Sequence, residues 1–351
     1  MRLKTVHKIF FKDSKNMSTI LSDSIDLVVT SPPYPMIEMW DLLFEDQNHK
    51  IKKALTDQQG LLAFELMHLE LDKVWNEIYR VLRDGGIACI NIGDATRKIG
   101  NNFQLYSNHT RVLNYCLKLG FQVLPNILWR KPTNAPNKFM GSGMLPSGAY
   151  VTLEHEHILI LRKNGIRKFK SVKEKEIRRN SAYFWEERNL WFSDVWVDLK
   201  GIGQNIRETN SLRKRSAAFP FDLPYRLINM FSVKCDTVLD PFLGTGTTTL
   251  AAMVAGRNSI GYEINPNFIG VITSRINTGI KLSKEQVDRR LKSHISFISK
   301  KSEEKKEIKY INEYYIFPVI TKQETELTFN KIKTIQKQTD FEFVVTYQNK
   351  N

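Results

Sequence analysis

Short apolar runs rich in β-branched residues alternate along the chain with stretches in which apolar residues recur every three or four positions. The run Ile25–Thr30 predicts a buried strand. It must end at Ser31-Pro32-Pro33-Tyr34, because two prolines cannot continue a strand ladder. Leu71, Val74, Trp75, Ile78 and Leu82 share a helical face, with Gly85-Gly86 as the expected stop. Residues 87–92 read as the next strand. Val112, Leu113, Cys116 and Leu117 mark another helix face, closed by Gly120. Residues 121–129 and 157–162 read as strands flanking a Pro- and Gly-rich loop at 131–148. Further on, Leu223, Leu227, Ile228 and Phe231 line a helix that Asp222 can cap, with Pro224 in its first turn. Residues 236–239 form a short strand, 240–246 a loop into a helix from about Thr247, and 259–263 the following strand. The pattern predicts an α/β fold, with two segments that read as pieces of a parallel sheet.

Residues 164–215 break the rhythm. Lys and Arg crowd from Arg162 to Arg179. Tyr183, Phe184, Trp185, Trp191, Phe192 and Trp196 follow, and Arg207, Arg213, Lys214 and Arg215 close the stretch. Beyond residue 280, Ser283 and Gln286 suggest a capping box opening a helix with Val287, Leu291, Ile295 and Ile298 on one face. After a charged linker at 300–309, residues 310–320 and 341–347 alternate like strands, as in a small appended module. The expected organisation is therefore 1–163, 164–215, 216–280 and a C-terminal extension at 281–351.

Charge sharpens this picture. The 351 residues carry 52 Lys and Arg against 37 Asp and Glu, a formal net charge of +15. Such a chain suits a polyanionic partner, and no stretch reads as a membrane-surface helix, so nucleic acid is favoured over lipid. A basic surface kept for solubility is the plainer alternative. At 42% hydrophobic and 25% charged, the composition excludes a disordered chain or a collagen. No apolar run is long enough to span a bilayer, and the first residues lack the features of a signal peptide. Cys89, Cys116 and Cys235 show no metal spacing and read as buried small hydrophobes. The expectation is a cytoplasmic protein without a structural metal.

Two loops carry candidate chemistry. Asp240-Pro241-Phe242-Leu243-Gly244-Thr245-Gly246-Thr247 joins a strand to a helix. Its glycines permit a tight turn and close approach of a ligand, and the helix start offers free N–H groups. Glu263, at the end of the next strand, can accept hydrogen bonds from both hydroxyls of a ribose. The set suits an adenosine-containing cofactor. It is neither a P-loop nor a dinucleotide G-x-G-x-x-G, and a G-x-G pair alone reads equally well as a structural turn. In the second loop, the Ser31 hydroxyl, the Pro32 carbonyl and the Tyr34 ring converge at the carboxyl end of a strand. They could grip a planar ring bearing an exocyclic amine; a plain Pro-Pro turn with a packed tyrosine is the alternative.

Together these motifs resemble the amino-methyltransferases of DNA that use S-adenosyl-L-methionine. Residues 31–34 resemble their catalytic motif. Residues 240–246 are similar to their cofactor loop, Gly261-Tyr262-Glu263 to the motif after it, and Phe219-Pro220 with Leu223 and Leu227 to the one before it. Arg215 stands where the last of these often has a histidine. The catalytic motif precedes the cofactor loop, which is the permuted order of the β group. That order implies a target-recognition region between them, here 164–215.

The resemblance covers about residues 8–280 and implies an α/β, Rossmann-like methyltransferase fold, a mostly parallel sheet with helices on both faces. It implies that Ser31, Pro32 and Tyr34 act on a flipped base. It places Thr30, Asp94, Phe219, Asp240, Pro241, Phe242, Gly244, Gly246, Thr247 and Glu263 at the cofactor, although Asp94 reads equally as a loop cap. Ser at the first motif position points to cytosine N4, with adenine N6 as the alternative. Double-stranded DNA is the implied substrate, with Gln204, Asn205, Arg207 and Asn210 as candidate base readers. A companion restriction endonuclease and a homodimer are further expectations. Competing readings are methylation of RNA or of a protein glutamine, and a DNA-binding module that has lost catalysis.

Overall fold

A computed structural model describes residues 3–131, 140–200, 219–304 and 308–348. Its centre is a ten-stranded sheet. In chain order the strands are β1 (Lys4–Phe10), β2 (Ile25–Thr30), β3 (Leu82–Ile92), β4 (Phe121–Arg130), β5 (His155–Lys163), β6 (Val195–Trp196), β7 (Thr237–Asp240), β8 (Asn258–Tyr262), β9 (Ile332–Thr339) and β10 (Glu342–Tyr347). They lie in the order β6-β4-β5-β3-β2-β7-β8-β1-β10-β9. The five middle strands, β3-β2-β7-β8-β1, run parallel. β5 and β10 turn antiparallel at either side.

The helices are α1 (Asp41–Gln47), α2 (His49–Thr56), α3 (Gly60–Val81), α4 (Asn108–Leu119), α5 (Val172–Asn180), α6 (Trp185–Trp191), α7 (Asp222–Phe231), α8 (Thr247–Ala255), α9 (Ile269–Asn277) and α10 (Gly279–Glu303). Strands β2 and β7 and the second half of β3 are mostly buried and apolar because both their faces are covered. In β2, Leu27 and Val29 enter the core shared with α7, α8 and α9, while Val28 enters the one shared with α2, α3 and α4. This is the expected α/β architecture.

Several boundaries differ from the sequence reading. Helix α3 ends at Val81, before Gly85-Gly86, and Leu82 already begins β3. Gly85 instead forms a left-handed bulge (φ 75°), where an added Cβ would lie 2.5 Å from the Arg167 nitrogen. Ser283 and Gln286 cap nothing, because α10 already starts at Gly279. The Ser283 hydroxyl accepts from the Ile332 N–H (3.0 Å), and Gln286 donates to Asp222 (2.9 Å). Asp222 is the first residue of α7 rather than its cap, and its carboxylate holds α10. Cys89 and Cys116 are buried as expected, but Cys235 is exposed.

Strand β1 was not expected, because lysines interrupt its apolar pattern. It is fixed by an internal polar contact: buried His7 bonds the Ser259 and Thr5 hydroxyls (both 2.8 Å), and burial lowers its pKa to about 3. The C-terminal residues are built into the body of the protein. Within 310–320 only two-residue strands form, but β10 pairs along β1 and extends the sheet.

Residues 180–191 pack against α10 and the segment after it, while Arg167 pairs with Asp236 just before β7. Phe184 is fully buried, with its ring stacked on His294 (centroids 3.9 Å, planes 6° apart). Arg290 grips Glu187 with two bonds of 2.6 Å and lies over the Phe329 ring. Three of the six aromatics at 183–196, Phe184, Trp191 and Trp196, are therefore core rather than free surface. Gln204, Asn205, Arg207, Asn210 and Arg215 lie outside the described residues.

A buried ion pair that loses one partner strands the other charge. Arg290→Ala should therefore cost about 3–5 kcal/mol of stability, measured by denaturant unfolding. A loss within about 0.5 kcal/mol would mean that water reaches Glu187 and replaces the guanidinium.

Candidate active site

Parallel pairing of β2 with β7 sets the ends of these strands side by side, with Val28 opposite Leu239. The Ser31-Pro32-Pro33-Tyr34 loop therefore leaves the sheet next to the loop 240–246. Asp240 locks the two together. Its carboxylate accepts from the Thr30 hydroxyl (2.6 Å), the Thr248 hydroxyl (2.7 Å) and the Phe242 N–H (3.0 Å). Asp240 is fully enclosed, and burial raises its pKa to about 6 despite these bonds.

The glycine loop is held from its other side. Glu263, just past β8, accepts from the Gly244 N–H (2.8 Å) and the Asn265 N–H (2.9 Å). Burial raises its pKa too, partly offset by those bonds. Gly244 and Gly246 both adopt left-handed φ, 53° and 82°. A Cβ on Gly246 would also sit 3.1 Å from Ile272 of α9. Helix α8 then starts at Thr247, whose hydroxyl accepts from Arg275.

A cavity of about 270 Å³ opens between the two loops. Ser31, Pro32, Tyr34, Phe219, Asp240, Pro241, Phe242, Gly244, Thr247 and Glu263 all line it. Lys12 and Lys15 after β1, Trp40 and Leu71 join them. Thr30 and Gly246 act from behind the wall, the first holding Asp240 and the second shaping the turn. Asp94 departs from the expectation. It is not part of the lining and instead accepts from the His109 N–H (3.0 Å) in the first turn of α4 and from the His109 ring (2.8 Å). Burial opposes its ionisation, but the bonds from His109 hold its pKa below the ordinary value.

Three residues at this site were not anticipated: Asn91, Lys131 and Glu156. The Tyr34 hydroxyl donates to Glu156 Oε2 (3.0 Å), accepts from Asn91 (2.9 Å) and lies 3.0 Å from Ser31 Oγ. Lys131 Nζ is 2.5 Å from the other Glu156 oxygen. Burial, reinforced by the Glu156 charge, pushes the Tyr34 phenol well above its usual pKa. The Tyr34 ring packs over Gly93, where an added Cβ would meet it at 3.0 Å.

An open-ended parallel sheet, a glycine turn at the carboxyl end of its middle strand and an acid after the next strand define an α/β protein that binds a nucleotide-like ligand beside the sheet. The polar loop 31–34 opens into the same pocket. Comparison with known proteins agrees. Residues 25–275 match the N6/N4 methyltransferase family, described as DNA methylase. The type II methyltransferase M.MthZI of Methanothermobacter thermautotrophicus is 56% identical over 350 residues, covering 99% of this chain and 97% of that protein. M.MjaI of Methanocaldococcus jannaschii, also a type II methyltransferase, is 49% identical over 297 residues, 82% of this chain and 95% of that one. Among solved structures, TTHA0409 of Thermus thermophilus, a candidate DNA modification methylase crystallised with S-adenosyl-L-methionine, superimposes with a TM-score of 0.60 at 29% identity. The match covers 78% of this chain and 95% of that one. The chain belongs to the N6/N4 family of DNA methylases, in the β-group order of motifs.

The state of Asp240 has a measurable consequence. Its folded pKa of about 6 lies above its ordinary 3.8. Between those values the folded protein binds more protons than the unfolded chain, so stability falls as pH rises from about 4 to about 6. This group alone contributes a fall of about 3 kcal/mol. Asp240→Asn should flatten that part of the pH–stability curve in denaturant unfolding. An unaltered fall would assign it to another group.

Proposed function

We propose that this protein transfers a methyl group from S-adenosyl-L-methionine to the N4 amine of cytosine in duplex DNA. The observation that carries the reading is that Ser31-Pro32-Pro33-Tyr34 and the Asp240–Gly246 turn with Glu263 share one cavity. The donor set fits the cofactor. Two carboxylates that burial disfavours as anions face the same space, which suits a ligand bringing positive charge and hydroxyl donors. Glu263 would take the ribose hydroxyls, while Phe242 and Phe268 supply apolar wall. Phe219, just before α7, and Thr247, at the start of α8, close the pocket. Bound there, the cofactor supplies an electrophilic methyl on a sulfonium.

The residues of the chain then prepare the amine. A base inside a duplex must be flipped out to reach the cavity. Tyr34 would stack against the flipped ring, and Ser31 Oγ with the Pro32 carbonyl would accept the two amine hydrogens. Those bonds draw the nitrogen lone pair out of conjugation as charge develops, so the acceleration is positioning plus electrostatics. Lys168, Lys170 and Lys173, around the start of α5, would hold phosphates through a salt-dependent contribution. The long basic and aromatic insert at 164–215 favours nucleic acid over a protein amide. Ser at the first motif position favours cytosine over adenine. A place in a restriction–modification system, with an endonuclease reading the same sequence, follows the same reading, as does a homodimer. No helix among the described residues is long and apolar enough to cross a membrane.

The deciding experiment incubates the protein with mixed-sequence duplex DNA and methyl-labelled S-adenosyl-L-methionine and identifies the labelled nucleoside by mass spectrometry. N4-methylcytosine is the expected product. N6-methyladenine would keep the enzyme class and reassign the base; a label found only in RNA or protein would refute the substrate. Glu263→Ala should weaken cofactor binding by about 1–3 kcal/mol in calorimetry; unchanged affinity would remove Glu263 from the ribose. Tyr34→Ala should cut turnover far more than cofactor affinity, and equal losses would make it a packing residue.

A further inference from the structure

Methylation of an exocyclic amine leaves the nitrogen with one proton too many, and the Ser-Pro-Pro-Tyr loop contains no base. The structure nonetheless links that loop to a carboxylate. Tyr34 donates its single hydroxyl proton to Glu156 Oε2 at 3.0 Å. Its oxygen must therefore act as acceptor toward Ser31 Oγ, 3.0 Å away, and toward Asn91. The hydrogen bonds thus all point outward, from Ser31 through Tyr34 to Glu156. With its own proton turned to Tyr34, Ser31 Oγ keeps its lone pairs for a ligand in the cavity.

We propose that Glu156 is the terminal proton acceptor of the methylation, reached from the substrate amine through Ser31 and Tyr34. The proposal rests on the amine-methylation reading above and goes beyond it. As the nitrogen–methyl bond forms and the carbon–sulfur bond breaks, the amine nitrogen becomes cationic. It gives a proton to Ser31 Oγ, Ser31 passes its own to Tyr34 Oη, and Tyr34 passes its own to Glu156, which ends neutral. No other reactant is consumed. Tyr34 resists ionisation because it is buried beside a carboxylate, so it conducts the proton without storing it.

The surroundings of Glu156 suit this role. Among the described residues, the titratable groups facing it are Tyr34 on the loop after β2 and Lys131 beyond β4; β3 and the turn after it present Asn91 and Gly93 there. His155 and His157 flank it on β5, and His157 stacks on His109 with its pKa lowered to about 4 by burial. Asn91 (2.6 Å) and Lys131 (2.5 Å) bind the carboxylate from the remaining sides. Lys131 is about two-fifths exposed, so the chain of bonds ends at solvent, where the proton can leave after turnover.

A carboxylate needed only to anchor Tyr34 could be replaced by an amide, which accepts the same bond but takes no proton. Glu156→Gln therefore separates the two roles. Expected are a loss of about 10²-fold in kcat, unchanged cofactor affinity in calorimetry, and disappearance of the acid limb of the wild-type pH–kcat profile. Tyr34→Phe, which keeps the ring, should lose turnover similarly. In the protein without cofactor, removing the Glu156 charge should lower the Tyr34 pKa in an NMR titration of labelled tyrosine, assigned with Tyr34→Phe. A Gln variant with wild-type kcat and pH profile would overturn the relay while leaving methylation intact. So would Gln and Ala variants equally slow with the acid limb retained. A wild-type protein that methylates no amine would overturn the methylation reading and the relay with it.

Discussion

One buried carboxylate organises this molecule. Asp240 sits where the ends of β2 and β7 meet, and it ties together a hydroxyl from one strand, a hydroxyl from the following helix and the backbone of its own loop. A charged group in that position is costly, because burial opposes its ionisation more strongly than three hydrogen bonds favour it. What it gains is registry: the loop that would hold the methyl donor cannot shift against the loop that would hold the acceptor. The rest of the cavity follows from that clamp. Glu263 fixes the far side of the glycine turn, and the parallel order of the middle strands brings both loops to the same edge of the sheet.

A second polar assembly lies beside the first and has a different character. Tyr34, Asn91, Glu156 and Lys131 come from four separate elements and meet at one carboxylate, Glu156, which accepts from Tyr34 on the cavity side and from Lys131 on the solvent side. Asp240 and the hydroxyls that bind it are buried, whereas this group reaches solvent at Lys131. The contrast separates what must be rigid, the relative placement of two reactants, from what must exchange protons with water.

The middle of the sheet was legible in the chain because strands covered on both faces carry unbroken apolar runs, as in β2 and β7. Strand β1 was not, since lysines alternate with its apolar residues and a buried histidine sits among them. Helix limits shifted where tertiary contacts overrode local signals: Ser283 is used by Ile332, and Gly85 serves a bulge instead of a stop. At the site, the cavity-lining residues of both loops were legible because their spacing along the chain reflects a local turn. Asp94 takes the loop-cap alternative, and the chain left the two readings level because its partner, His109, lies on a helix that no local pattern brings to it. Glu156 was invisible for a related reason. Only the antiparallel insertion of β5 between β3 and β4 carries it to Tyr34, and its one sequence signal is the charged Glu154-His155-Glu156-His157 run leading into an apolar strand.

The docking of residues 184–191 onto α10 also sets the boundaries of any exchangeable unit in this protein. Phe184 needs His294 as its stacking partner, and Glu187 needs Arg290. A chimaera that imported the 164–200 segment of a relative while keeping its own α10 would mismatch both contacts. The unit that can be swapped intact is discontinuous in the chain, joining the insert to residues of α10 more than one hundred positions away.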